Sequence, residues 1–293
     1  MEADKEIHAL MRLIDDPDED VYSTVSEKIV SLGRKIIPNL EHLWENTGNT
    51  FTQERIEFLI HSVHMRELEE EFIHWRDNNG TLLDGALLVA RYHYPDLETR
   101  TVHQEIGKIS KNIWLELNSY LTPIERINVF NGIFYNYYKM SGLELTYQNP
   151  DAFLINKALE SKKGNAYANG ILYLILCEQH DLPVHPVHIP RQFILAWFNS
   201  VITTENERTT GGADIAFFIE PATGQLYSMP DVENYLRKLQ ATNKYFHFNP
   251  ANNREVIYNL LMELSKCYDD DKNRYKHDEL IAFAKLLEPE SPF

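Results

Sequence analysis

An α+β fold follows from three observations on this 293-residue sequence. Apolar residues recur at helical spacing through roughly the first half of the chain. A run centred on Ile171-Leu172-Tyr173-Leu174 is apolar on every side, as a central buried helix requires. After Pro183 the pattern changes to short β-branched and aromatic runs separated by turn residues. Helices first, a three- or four-stranded antiparallel sheet next and helices again at the end define the class.

The elements follow in order. Ile7, Leu10, Met11 and Ile14 sit at i, i+3, i+4 and i+7, one face of a first helix. Asp15-Asp16-Pro17-Asp18 stops it and supplies an N-cap for the next. Val21, Val25, Ile29 and Leu32 form the second stripe, with Gly33 as its C-terminal stop. Ile36, Ile37, Leu40, Leu43 and Trp44 begin a third helix, and a fourth runs from Thr52 to Trp75 with an acidic solvated run at 67–71. Asp77-Asn78-Asn79-Gly80 reads as a loop. Further helices are expected over Leu82–Tyr92 and Leu97–Leu117, and from Thr122-Pro123-Ile124-Glu125 through Phe130, Phe134, Tyr137 and Tyr138. Strands are expected at Val184–Ile189, Phe193–Val201 and Ile215–Ile219, with a polar loop at Thr203–Gly212 and a tight turn at 221–224 leading into Gln225–Tyr227. Val232–Leu239, Val256–Tyr268 and His277–Leu287 return to helix.

Composition narrows the function. A net charge of −16 argues against nucleic acid as a partner, because phosphate recognition needs a basic footprint, and against an anionic membrane surface. The two cysteines, Cys177 and Cys267, are far apart and embedded in apolar helical patterns, so reduced, buried thiols are expected. The first residues show neither a basic nor an apolar segment of a signal peptide, and no apolar run reaches membrane-spanning length, which gives a cytoplasmic expectation.

Two resemblances add to this reading. Residues 13–33, LIDDPDEDVYSTVSEKIVSLG, resemble a HEAT repeat, in which an Asp-Pro turn joins two antiparallel helices. A more specific combination runs further on. It comprises Leu154-Ile155-Asn156-x-x-Leu159, a basic pair before Gly164-Asn165, and the helix Ile171-Leu172-Tyr173-Leu174. Leu182-Pro183-Val184, Ile189-Pro190-x-x-Phe193 and Phe218-Ile219-Glu220-Pro221-x-x-Gly224 complete it. Together these resemble the SirB1 family of transglutaminase-like proteins over residues 80–240. This resemblance implies a papain-like cysteine-enzyme core but does not account for the first 75 or so residues. The two resemblances together imply a HEAT-like helical region at 1–78, the transglutaminase-like core at 79–240 and a helical extension at 241–293.

Enzymes of that superfamily place a cysteine at the start of the core helix, where free amides and the helix dipole favour the thiolate. A histidine on the next strand takes the proton, and an aspartate on the strand after orients it. Carried over by motif, those places hold Ala166, Gln192 and Glu220. Alanine offers no nucleophile and a glutamine amide no base, so the resemblance implies a non-catalytic protein-binding or regulatory scaffold. Two alternatives stand beside it: a hydrolase or transferase with a relocated active site, and a small-molecule sensor using the residual cleft. Asn165, Tyr167, Asn169, Arg191, Gln192 and Glu220 are the candidate cleft residues, with Asn165 as a helix cap and Tyr167 as packing the competing reading. Arg191 would close the cleft or pair with Glu220.

No cofactor is expected. Cys177 lies three turns past Ala166, about 16 Å along the helix, and reads as a structural thiol. His185 and His188 point to opposite faces of a strand, and His8, His61, His64 and His74 are scattered over helices, so no metal site is expected. Phe134, Tyr135, Tyr137 and Tyr138 divide between core packing and an exposed aromatic surface.

Overall fold

The computed structural model describes residues 2–199, 214–239 and 248–288. The polar loop expected at 203–212, and Val201 of the second strand, lie outside them. The chain forms two compact units, Met1–His74 and Trp75–Phe293.

The first unit is helical: α1 (Glu2–Leu13), α2 (Glu19–Ser31), α3 (Ile37–Asn46) and the greater part of α4 (Thr50–Asp77). The Asp-Pro corner works as the sequence predicts, with the Asp18 side chain accepting from the Asp20 amide to cap α2. Gly33 follows that helix at φ +65°, the left-handed conformation that glycine tolerates best. Ile14, Val25, Ile29, Leu40, Ile56, Leu59 and Val63 close the core. Arg55 is buried beneath it and donates to the carbonyls of Ile14 (2.9 Å) and Asp16 (2.7 Å) and to Glu19 (2.6 Å), tying α4 to the α1–α2 corner.

The second unit opens with α5 (Leu82–His93), α6 (Thr99–Glu116) and α7 (Pro123–Asn131). Thr122 and Glu125 form a capping box at the start of α7. The sequence carries that helix on through Tyr138, but the backbone widens into a π-helical turn over Gly132–Tyr137. The wider turn accompanies two long-range hydrogen bonds: Asn131 Nδ2 donates to the Gly224 carbonyl and the Tyr135 hydroxyl to the Pro221 carbonyl, both at 2.9 Å. A short parallel pair unforeseen in the sequence, β1 (Ser141–Gly142) with β2 (Lys163–Gly164), flanks α8 (Ile155–Ser161).

The central helix α9 (Ala166–Glu178) is buried continuously from Tyr167 to Cys177. It lies on one face of an antiparallel meander ordered β3 (Val184–Ile189), β4 (Gln192–Phe198), β5 (Ile215–Glu220), β6 (Gln225–Tyr227). Val187, Ile189, Ile194, Ala196, Phe198 and Phe218 turn to the opposite face and pack with Val232 and Leu236 of α10 (Met229–Lys238) and with Phe248. A hairpin of α11 (Asn253–Ser265) and α12 (Arg274–Leu286) closes the unit against α5. No helix among the described residues is long and apolar enough to cross a membrane.

Candidate functional site

The site is assembled where α9 begins, because the parallel β1–β2 pair and the meander converge there. Asn165 is fully buried and precedes α9 as its N-cap. Its Oδ1 accepts from the amides of Tyr167 (2.9 Å) and Ala168 (3.1 Å), and its own amide donates to the Ala152 carbonyl at 2.9 Å. Half-buried Ala166 thus stands at the positive end of a buried helix dipole with no side chain to exploit it. One turn on, buried Asn169 donates from Nδ2 to the Ser141 carbonyl at 3.1 Å.

Tyr167 is packed rather than open. Its ring stacks on Phe193 with centroids 4.7 Å apart and lies 6.0 Å from Phe153, which in turn stacks on Tyr147 at 6.3 Å. This aromatic ladder fills the ground beside the helix start. Burial, then the Glu263 carboxylate, pushes the Tyr167 hydroxyl far above its ordinary range, so it stays protonated. The Tyr147 hydroxyl donates to Glu263 at 2.7 Å and is itself pushed up to about 12, first by burial and then by that carboxylate.

The sheet approaches α9 closely. A Cβ added to Gly170 would meet the Phe193 ring at 2.4 Å, so glycine is needed at this crossing. Phe193 therefore faces the helix. Its neighbour Gln192 pairs with Ile189 and takes the other sheet face, where its side chain is exposed. Arg191 is exposed in the hairpin turn at φ +64°.

Glu220, half-buried at the end of β5, is committed to its own turn. Its carboxylate accepts from the amides of Ala222 (2.9 Å) and Thr223 (3.0 Å) and from the Thr223 hydroxyl. Among the described residues no ion pair joins it to Arg191, so the pairing considered from sequence is absent there. The turn ends at Gly224, φ +77°, where a Cβ would fall 2.5 Å from the Tyr135 ring. Burial, followed by Glu220, drives the Tyr135 hydroxyl well above its ordinary value.

The structure thus brings Asn165, Tyr167 and Asn169 together at the start of α9, while Gln192 projects from the far side of the sheet and Glu220 serves its turn. Cys177 is fully buried, and its thiol is pushed well above the usual range by burial alone. A Ser–His contact does exist, Ser110 Oγ to His180 Nε2 at 3.2 Å, but it lies beyond the far end of α9, about 20 Å from Ala166 along the helix. Among the described residues no group of three or more His, Cys, Asp or Glu is arranged to hold a metal ion. Sequence reasoning missed Phe193, Phe153 and Tyr147 as the filling of this region, and the Asn131–Tyr135 clamp. Only the i, i+4 spacing of Asn131 and Tyr135 could have signalled the latter.

A Gly-Asn entry into a buried helix, laid on an antiparallel meander whose strand ends meet that entry, is a transglutaminase-like core. The transglutaminase-like superfamily model matches residues 100–262, more than half of the sequence, and the chain belongs to that superfamily. Within it the chain is SirB1-like: Protein SirB1 of Salmonella typhimurium is 24% identical over 219 residues, covering 74% of this chain and 77% of that protein. YchA of Escherichia coli is 25% identical over 118 residues, 40% of this chain and 44% of that protein. The mouse F-box only protein 21 is 23% identical over 148 residues, 43% of this chain and 24% of that protein. No solved structure matches the chain.

Proposed function

We propose that this protein is a non-catalytic transglutaminase-like scaffold that binds other proteins in the cytoplasm, with the helical region at 1–78 acting as a HEAT-like recognition surface. The observation that carries the reading is the start of α9: Ala166 supplies no nucleophile, and the amides of Tyr167 and Ala168 are already held by Asn165. The places that would hold a base and its orienting acid support it, because Gln192 faces away from the helix and Glu220 caps a turn. The test is a transamidation and peptide-hydrolysis assay on the purified chain. Only background turnover is expected, and turnover lost in Gln192→Ala or Glu220→Ala would overturn the proposal. The double variant Ala166→Cys/Gln192→His should remain inactive, since residue 192 lies on the wrong face of the sheet.

A sensor reading has one observation in its favour. Asn165 Nδ2 and Asn169 Oδ1 are buried without a hydrogen-bond partner among the described residues, and such groups are costly to leave unmet. A metabolite screen by thermal shift, repeated on Asn169→Leu, tests it. A stabilising compound whose effect disappears in the variant would favour the sensor.

A further inference from the structure

The surface formed by α6, the π-helical turn and the β1–β2 pair runs against the charge of the whole molecule. In a chain of net charge −16, five lysines gather there. Lys108 and Lys162 both reach Glu105, at 2.5 Å and 3.9 Å, so that acid is doubly countered. Lys163 is brought in by the register that pairs Ser141 with it, and Lys139 lies two residues before Ser141 in the turn out of the π-helix. Lys111 is one turn along α6 from Lys108. Lys111, Lys139 and Lys163 are exposed, and no carboxylate among the described residues pairs with them.

The same surface carries unburied apolar groups. Leu115, one turn on from Lys111 along α6, is 59% exposed, and Tyr137 is 71% exposed. Tyr137 is held in place rather than left loose: it packs edge-on to Tyr138 at 5.1 Å, and Asn112 donates to the Tyr138 hydroxyl at 2.7 Å. A rigid aromatic anchor beside unpaired cations is the composition of a protein-recognition hot spot, in which Trp and Tyr dominate binding energy.

We propose that this face is a docking site for an acidic, apolar-containing peptide segment of a partner protein. Its carboxylates would engage Lys111, Lys139 and Lys163, and its apolar side chains would cover Leu115 and Tyr137. This rests on the protein-binding reading above and gives it a surface. Nucleic acid and anionic membrane suit the site less, because both present dense negative charge to a molecule of net charge −16.

The probe is a fluorescein-labelled short peptide of Glu, Asp, Leu and Phe, titrated against the full chain by anisotropy. Micromolar binding that weakens with added salt is expected. The charge-reversed Lys111→Glu/Lys139→Glu/Lys163→Glu variant should weaken binding at least about tenfold, and Tyr137→Ala by about tenfold. Both should melt as the parent does, because every substituted side chain is exposed. Absence of binding, or equal binding by the charge-reversed variant, overturns the proposal. So does stronger, patch-dependent binding of single-stranded DNA or phosphatidylserine vesicles. The two proposals fail separately. Catalytic turnover with patch binding intact would remove the scaffold reading and leave this surface, whereas an inactive protein that ignores the peptide would do the reverse.

Discussion

The start of α9 and the corner between α5 and the C-terminal helices make opposite use of polar chemistry. The start of α9 has a buried helix dipole, a cap and converging strand ends. What stands there is an alanine, neutral amides and a ring stack. At the other corner the ionisable groups are present. His93 Nε2 meets the Tyr268 hydroxyl, the Tyr92 hydroxyl donates to Glu279 at 2.8 Å, the Tyr94 hydroxyl donates to Asp151 at 2.7 Å, and Lys276 lies 5.4 Å over the Tyr268 ring. Yet each of these is absorbed in pairing one element to another. In this corner perturbed titration therefore accompanies structural pairing.

That contrast can be broken in several ways. The largest effect is expected from acid at the second corner. Burial, and then the Lys276 ammonium, lowers His93 from 6.5 to about 4. Because the folded value lies below the unfolded one, the unfolded chain takes up the proton first on acidification. Stability contributed by neutral His93 is complete above pH 6.5 and is lost as pH falls toward 4, by about 3 kcal/mol. Urea titrations from pH 7 to 4 should show this slope, and His93→Gln should flatten it. An unchanged slope would mean that the corner is not built on a neutral imidazole.

Removing the cap at the other site should cost somewhat less. Asn165→Ala strips the acceptor from two amides at the start of α9 and is expected to destabilise by about 2 kcal/mol in denaturant unfolding. Gly170→Ala tests the close crossing of α9 and β4. The new methyl must displace the Phe193 ring, and a loss of about 1–2 kcal/mol is expected, reduced in the double variant with Phe193→Leu. Glu220→Gln should be the mildest. One oxygen still serves the turn at 221–224 while the other is replaced by a donor facing the Thr223 amide and hydroxyl, at a cost of about 1 kcal/mol. If Glu220→Gln instead abolished a measurable turnover, the carboxylate would belong to chemistry and the comparison would reverse.

Much of the fold is legible residue by residue. Asp18, Thr122 and Gly33 announce helix ends because capping and left-handed φ are local demands met by particular side chains. The all-apolar run of α9 announces burial, and the β-branched runs after Pro183 announce the meander. The π-helical turn after Asn131 was not legible, since its α-helical pattern is unbroken and the hydrogen bonds it accompanies reach a turn more than 80 residues away. The parallel β1–β2 pair was equally hidden, two residues long on each side with no alternation to betray it. At the candidate site the sequence exposed the alanine, glutamine and glutamate, and the resemblance assigned them places. It did not reveal that Phe193 occupies the helix side of β4, because strand parity at a hairpin is fixed by register rather than by residue type.

What the sequence alone determined, then, is the order and type of elements, the burial of α9 and the want of a nucleophile at its start, all properties of short segments and single side chains. The tertiary structure decided which way Gln192 points, what Glu220 holds and which lysines stand together. Each of those depends on the register and packing of segments far apart in the chain, and no local pattern encodes it.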